Sequence, residues 1–305
     1  MRRLDIAIKH RLGDLLELFS SMSAPSIPEN SASLFYLSRH LKWRSLGHAL
    51  CLQRLFQSEH RRRVALFNAW VRRRFDENNR FHGEGFILEL PPEFPNAREV
   101  VINDLREIYL ENHYTEGFPF GRLIRDNDVV LDCGSNIGAF AIYATSCGRN
   151  IRVLAFEPEP TIYRALVHNV ELNNLESQVQ CFPFGLTDEV GNFGLRFRAD
   201  SFTENQLTGR VSEGGVQCVT IDSAVSSAGL TRCDVIKMDI EGAERLALAG
   251  ASDTLKKFHP RLSIAAYHIP SDPFVLSSMV RRICPEYNVV VTAGAHLSAF
   301  HSANA

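Results

Sequence analysis

The side chains that could do chemistry gather in a few short stretches between apolar runs. In Val129-Val-Leu-Asp132-Cys-Gly134-Ser135-Asn136-Ile-Gly138-Ala-Phe140 an apolar run ends in an acid and breaks into a glycine loop before helical spacing resumes. The glycines let the backbone turn sharply and approach a ligand closely. Such a loop feeding a helix commonly receives a nucleotide, but the dinucleotide fingerprint is G-x-G-x-x-G, and here Ser-Asn-Ile separates the two glycines. A nicotinamide dinucleotide is therefore disfavoured. The next stretch, Leu154-Ala-Phe-Glu157-Pro-Glu-Pro160, sets an acid about 20 residues further on, where a carboxylate can accept hydrogen bonds from both ribose hydroxyls. Gly185-Leu-Thr-Asp188 then offers a polar turn, suited equally to reading an adenine edge or to turning the chain.

The sequence Cys233-Asp-Val-Ile-Lys237-Met-Asp239-Ile-Glu241-Gly-Ala-Glu244 places carboxylates at the carboxyl end of an apolar strand, beside the glycine loop. Lys237 and Asp239 share one strand face by the period of two, and a buried lysine demands an acidic partner. Glu241 and Glu244 are also favourably placed near a helix N-terminus. Ile264-Ala-Ala-Tyr267-His268 ends another strand with a histidine able to exchange a proton near neutral pH. Candidate catalytic residues are thus Asp239, His268, Glu241 and Lys237. No metal site is required by these spacings, although Asp239 and Glu241 are hard ligands of the kind Mg²⁺ takes.

These residues need a scaffold that brings strand ends together. From residue 103 onward strands and helices alternate, which predicts a mostly parallel sheet wrapped on both faces. Strands are expected at 129–132, 152–157, 180–184, 235–239, 262–267 and 288–292, with an antiparallel hairpin or lid over 192–221. The tail after Thr292 is short and rich in small residues, a weak signal for a complete final hairpin. Upstream, apolar spacing predicts helices over 3–20, 33–57 and 59–75, the first ended by the Pro-containing stretch 23–30. Residues 1–80 form a helical basic extension in this reading, 81–102 a Gly- and Pro-containing linker and 103–305 the catalytic domain.

The whole chain has a net charge of -2, yet residues 1–80 carry 15 Lys+Arg against 7 Asp+Glu. A basic helical face is either solvated, docked on a partner or a second copy, or turned to an acidic surface. The seven cysteines are scattered, without a C-x-x-C pair, which argues for reduced thiols in a cytoplasmic setting and against a zinc or disulfide framework. Neither a signal peptide nor a transmembrane run is readable.

Taken together, Val130-Leu-Asp-Cys-Gly-Ser-Asn-Ile-Gly138, Ala155-Phe-Glu-Pro-Glu-Pro160 with Asn169 and Asn174, and above all Ile236-Lys-Met-Asp-Ile-Glu-Gly-Ala-Glu244 resemble the FkbM family of S-adenosylmethionine (SAM)-dependent methyltransferases. Val219-Thr-Ile-Asp222 and Tyr267-His268 also look like family positions, so the resemblance covers about residues 103–292. It implies a class I, Rossmann-like methyltransferase domain that O-methylates a small molecule, saccharide or polyketide-like compound. By position, Asp132, Gly134, Asn136 and Gly138 would hold the methionine end of SAM and Glu157 its ribose, while Asp239, Glu241 and His268 would face the acceptor; Ser135 in the loop and Asp188 at the polar turn complete the expected cofactor-binding set. Cys133 and Ser135 stand where the family more often has an aliphatic residue and Ala, and Ala266-Tyr267 where an acid often precedes the histidine.

Two other classes of function compete. A catalytically silent SAM-binding or scaffold subunit would dock a protein through its basic N-terminal helices, but intact Asp132, Glu157 and Asp239 argue against it. A nucleic-acid acceptor would use the arginine-rich helices as a phosphate-binding face. The acidic catalytic half and the lack of an Asn/Asp-Pro-Pro-Tyr/Phe motif weigh against that.

Overall fold

The computed structural model describes residues 46–94, 96–118, 122–198 and 201–302, with side chains from 59 onward except 197–198 and 201–204. The helix expected over 3–20, the break at 23–30 and the first part of the helix expected from Ser33 lie outside these residues. α1 (Leu46–Arg72) runs unbroken where the sequence suggests two helices meeting near Ser58. No Gly or Pro lies between Gly47 and Gly83, so nothing there stops a helix.

The stretch that reads as a linker is built into the core. β1 (Arg80–His82) and β2 (Ile87–Glu89) pair as an antiparallel hairpin, with Phe81 and Leu88 buried. Two asparagines fix it from outside: Asn173 accepts from Ile87 N at 2.8 Å and donates to Ile87 O at 2.7 Å, and Asn169 accepts from Glu89 N at 2.7 Å and donates to Glu89 O at 3.1 Å. Side-chain amides thus replace a neighbouring strand. α2 (Ala97–Tyr109) follows, its apolar face of Val101, Ile102, Leu105 and Ile108 turned inward.

The remaining elements run in order β3 (Val129–Cys133), α3 (Ala139–Ser146), β4 (Arg152–Phe156), α4 (Pro160–Leu172), β5 (Val179–Phe182), β6 (Gly185–Leu186), β7 (Gly191–Arg198), β8 (Ser201–Arg210), β9 (Val216–Val219), α5 (Ile221–Ser227), β10 (Val235–Met238), α6 (Glu244–Ala249), α7 (Ser252–Phe258), β11 (Arg261–Ala265), α8 (Asp272–Ile283), β12 (Tyr287–Val291) and β13 (His296–His301). Seven of the strands form one sheet in the order β12-β13-β11-β10-β3-β4-β5. β10, β11, β3, β4 and β5 are parallel, and β13 enters antiparallel beside β11.

β3, β10 and β11 are buried along their whole length, as a sheet covered on both faces requires. Alternate residues feed two cores. Val130, Val153 and Val235 pack toward α3 and α4, while Leu131, Leu154 and Ile236 pack on the other face with Val225, Leu248 and Leu276. The fold is therefore a doubly wound α/β sheet, as expected. The final hairpin is complete although its residues are small: Leu297, Ser298 and Ala299 of β13 are buried, and the Ser298 hydroxyl donates to Glu116 O at 2.5 Å. The expected hairpin over 192–221 is also present, as part of a second sheet ordered β6-β9-β7-β8.

Candidate active site

The strand order switches direction between the parallel neighbours β3 and β10, and ligands of open α/β sheets collect at the strand carboxyl ends beside such a point. A cavity of about 340 Å³ lies there. Gly134, Ser135, Asn136, Glu157, Lys237, Asp239 and Glu241 all line it. Residues more than 100 positions apart in sequence thus meet at one sheet edge.

The glycine loop is held from beneath. Gly134 N and Ser135 N both donate to Phe156 O, at 3.1 and 2.9 Å, and the Ser135 hydroxyl turns back to Asp132 O at 2.8 Å. Gly134 has φ +80°, and a Cβ there would fall 1.9 Å from Asp239 O, so this position demands glycine. Gly138 has φ +95° and borders α3 behind the cavity wall. Asn136 takes φ +50° and donates its N–H to Glu157 Oε2 at 3.1 Å.

Asp132 does not reach the cavity. It is fully buried opposite Lys237 in the parallel register of β3 and β10, with Lys237 Nζ 3.1 Å from Oδ1. The same ammonium donates to Gly134 O at 2.7 Å and lies 5.5 Å from the centroids of the Tyr114 and Phe140 rings. Burial alone would lower the Lys237 pKa, but Asp132 and Asp239 outweigh it and hold it above the ordinary lysine value. Lys237 therefore stays charged and ties β10 to the loop. Its expected acidic partner is Asp132.

Glu157 is buried at the end of β4, where its Oε1 accepts from Glu159 N at 2.9 Å. Burial lifts its carboxyl to about 7 against the pull of those backbone N–H groups. Glu159, two residues on, caps α4 by accepting from Ile162 N at 2.6 Å. Asp188 is exposed and does not line the cavity. Phe184, Gly185 and Leu186 do so in its place, and Asp188 follows β6 in an exposed turn.

Asp239 is the most heavily bonded acid of the site. Tyr114 donates to its Oδ2 at 2.8 Å, and the Tyr267 hydroxyl lies 3.2 and 3.3 Å from its two oxygens. Burial keeps both phenols well above their ordinary pKa, so they remain donors. Glu241 stands at φ +56°, a rare conformation for a side chain with a Cβ, and burial raises its carboxyl. His268 sits just behind these acids, outside the cavity lining, with Glu244 on its far side at 3.0 Å. Burial would lower the imidazole, but Glu241 and Glu244 outweigh it and hold it at about 10.

The sequence reading missed Asp104, Glu107 and Tyr114 and took Tyr267 only as a family position; all four are in the cavity lining. Val100, Asn103, Asp104, Glu107 and Ile108 form one helical stripe of α2 laid along the cavity. Burial and mutual repulsion raise Asp104 to about 8 and Glu107 to about 7. The i, i+3 spacing of two acids is a legible signal, but it lies outside the strand-end pattern. Family positions Asn169 and Asp222 prove architectural: Asn169 also donates to Ile137 O at 2.9 Å, and Asp222 accepts from Asp253 N and Thr254 N at the start of α7. The six cysteines with described side chains are free. Among the described residues no helix is long and apolar enough to cross a membrane.

Residues 132–289 match the family model described as the methyltransferase FkbM domain. The chain is similar to methyltransferase sdnD of Sordaria araneosa, 27% identical over 159 residues covering 42% of this chain and 61% of sdnD. It is also similar to hexuronic acid methyltransferase AglP of Haloferax volcanii, 29% identical over 150 residues, with 48% and 59% covered. Against 31-O-demethyl-FK506 methyltransferase FkbM of Streptomyces tacrolimicus the identity is 26% over 181 residues, with 48% and 67% covered. The matched regions thus span about 60% of sdnD and of AglP.

Proposed function

The chain belongs to the FkbM methyltransferase family, and we propose that it transfers a methyl group from SAM to a hydroxyl of a small-molecule or saccharide acceptor. One observation carries the reading: the Gly134–Gly138 loop, Glu157 and Asp239 converge on one cavity whose lining is strongly acidic. Asp104, Glu107, Glu157, Asp239 and Glu241 surround it, with Lys237 the single cationic side chain among the described lining residues. Such a wall favours a ligand carrying positive charge, as SAM does. When bound, SAM supplies a methyl already activated by its positive sulfur.

The chain's own task is to align an acceptor oxygen and remove its proton. Gly134, Ser135 and Asn136 would form the wall against the methionine end, and Glu157 would meet the ribose hydroxyls. Asp239 is the base in this reading, with Tyr114 and Tyr267 fixing its orientation and His268 acting as a positioning residue. General-base help of this kind is worth about 10²- to 10⁴-fold. The names of the 31-O-demethyl-FK506 and hexuronic acid enzymes support an oxygen acceptor on a small molecule or a sugar acid.

The test is calorimetric titration of the purified chain with SAM and S-adenosylhomocysteine, followed by a screen of glycan and polyketide alcohols. Binding that is lost in Glu157→Ala, with turnover reduced at least about a hundredfold in Asp239→Asn, supports the reading. Absence of cofactor binding by the folded wild type defeats it.

A further inference from the structure

We infer that Asp239, Glu241 and His268 form a binding site for a divalent cation in the cavity wall, with Glu244 as the carboxylate that orients the histidine. One ligand atom from each of the three residues falls within 4.8 Å of the others. His268 Nε2 lies 3.5 Å from Asp239 Oδ1 and 3.5 Å from Glu241 Oε2. Two exposed pairs, His82 with Asp76 and His259 with Glu286, close to 2.8 Å, whereas His168 with Glu89 stands at 3.3 Å. Here a side chain only 9% exposed is aimed between two acids and stops short of both. Donors held about 2.1 Å from one ion stand about 3.0–3.5 Å apart at ordinary coordination angles. The observed spacing is of that size.

The surroundings resemble the outer shell of a metal site. His268 Nδ1 lies 3.0 Å from Glu244 Oε1, while Nε2 faces the two acids. Glu244 is fully buried, and its Oε1 also accepts from Ile240 N at 2.9 Å. One carboxylate therefore sets both the imidazole and the 239–241 loop. Tyr114 donates to Asp239 Oδ2, and Oδ1 faces both the Tyr267 hydroxyl at 3.3 Å and His268. Asp239 and Glu241 line the cavity, so further coordination positions would open onto the ligand space. Two carboxylates with one imidazole suit a borderline first-row ion such as Mn²⁺ better than Ca²⁺.

The ion's catalytic role rests on the methyl-transfer reading, whereas its binding does not. As a Lewis acid it would acidify the acceptor hydroxyl. The O–CH₃ bond forms as the S–CH₃ bond breaks, the bonding pair returns to sulfur to give the neutral thioether, and the hydroxyl proton passes to the Asp239 carboxylate.

The test is Mn²⁺ titration of the chelator-treated full chain without cofactor, followed by electron paramagnetic resonance. We expect one Mn²⁺ per chain, weakened at least about tenfold in Glu241→Gln and in His268→Asn, and about 10- to 100-fold in Glu244→Gln. Circular dichroism verifies that each variant is folded, and Glu241→Gln, which keeps shape and length, guards against misfolding of the histidine variant. Equal uptake by wild type and folded Glu241→Gln, or none by either, overturns the site. A parallel titration with S-adenosylhomocysteine separates the two ideas: cofactor binding without Mn²⁺ removes only the ion site, and Mn²⁺ binding without cofactor removes only the methyl-transfer reading.

Discussion

Lys237 shows how a residue chosen for chemistry can be needed first for architecture. Its charge is balanced by fully buried Asp132 and its N–H groups hold the glycine loop through Gly134 O. Removing one partner of a buried pair leaves the other charge uncompensated, a loss of about 3–5 kcal/mol. Lys237→Met should therefore lower unfolding stability by about that amount in urea titrations, and Lys237→Met with Asp132→Leu should recover most of it. Glu157 makes a second, pH-dependent prediction. With its carboxyl at about 7, a ribose that prefers the ionised form binds more tightly as pH rises from 6 to 8. Titration with 5′-methylthioadenosine, which carries the ribose without a titrating amine, should show this trend, and Glu157→Gln should flatten it.

Among the elements, the β1–β2 hairpin depends on α4 rather than on a neighbouring strand. Asn169 and Asn173 stand one turn apart and satisfy the N–H and C=O of Glu89 and Ile87. Unpaired buried polar groups cost about 1–3 kcal/mol each. In Asn173→Ala the amides of residues 80–89 should lose hydrogen-exchange protection by about that free energy while those of β3 and β10 keep theirs. Unchanged exchange in the hairpin would contradict the role given to Asn173. Asn169 links this hairpin to the active site, because the same side chain donates to Ile137 O in the glycine loop. The stripe of α2 that carries Asp104 and Glu107 closes the cavity from another side.

The whole molecule carries opposed pH sensitivities. His296 is buried beside Ser263 and Tyr114, and burial lowers its imidazole to about 4 from an ordinary 6.5. Its stabilising contribution is complete above pH 6.5 and is lost as pH falls toward 4. Asp104 runs the other way. Raised to about 8 from 3.8, its buried neutral form favours the fold at low pH, and that contribution is lost as pH rises through 8. Melting temperatures should show Asp104→Asn gaining on the wild type between pH 5 and 8, and His296→Gln losing less than the wild type between pH 6.5 and 4.

The sequence by itself determined the strand–loop–helix around Asp132, the acid at Glu157, the Lys237–Asp239–Glu241 strand end and the doubly wound sheet. These are local signals: apolar runs, glycine spacing and the period of two are written in consecutive residues. Even the acidic partner of Lys237 was required by chemistry, although its identity was not. Tertiary structure alone decided which acids face the cavity, since cross-strand register turns Asp132 inward onto Lys237 and the exposed turn after β6 carries Asp188 away. It also placed Asp104, Tyr114 and Tyr267 around Asp239 and turned an expected linker into a hairpin. Contacts between residues 125 or more positions apart, such as Tyr114 to Asp239, have no local signature, because only the folded chain brings them within hydrogen-bond reach.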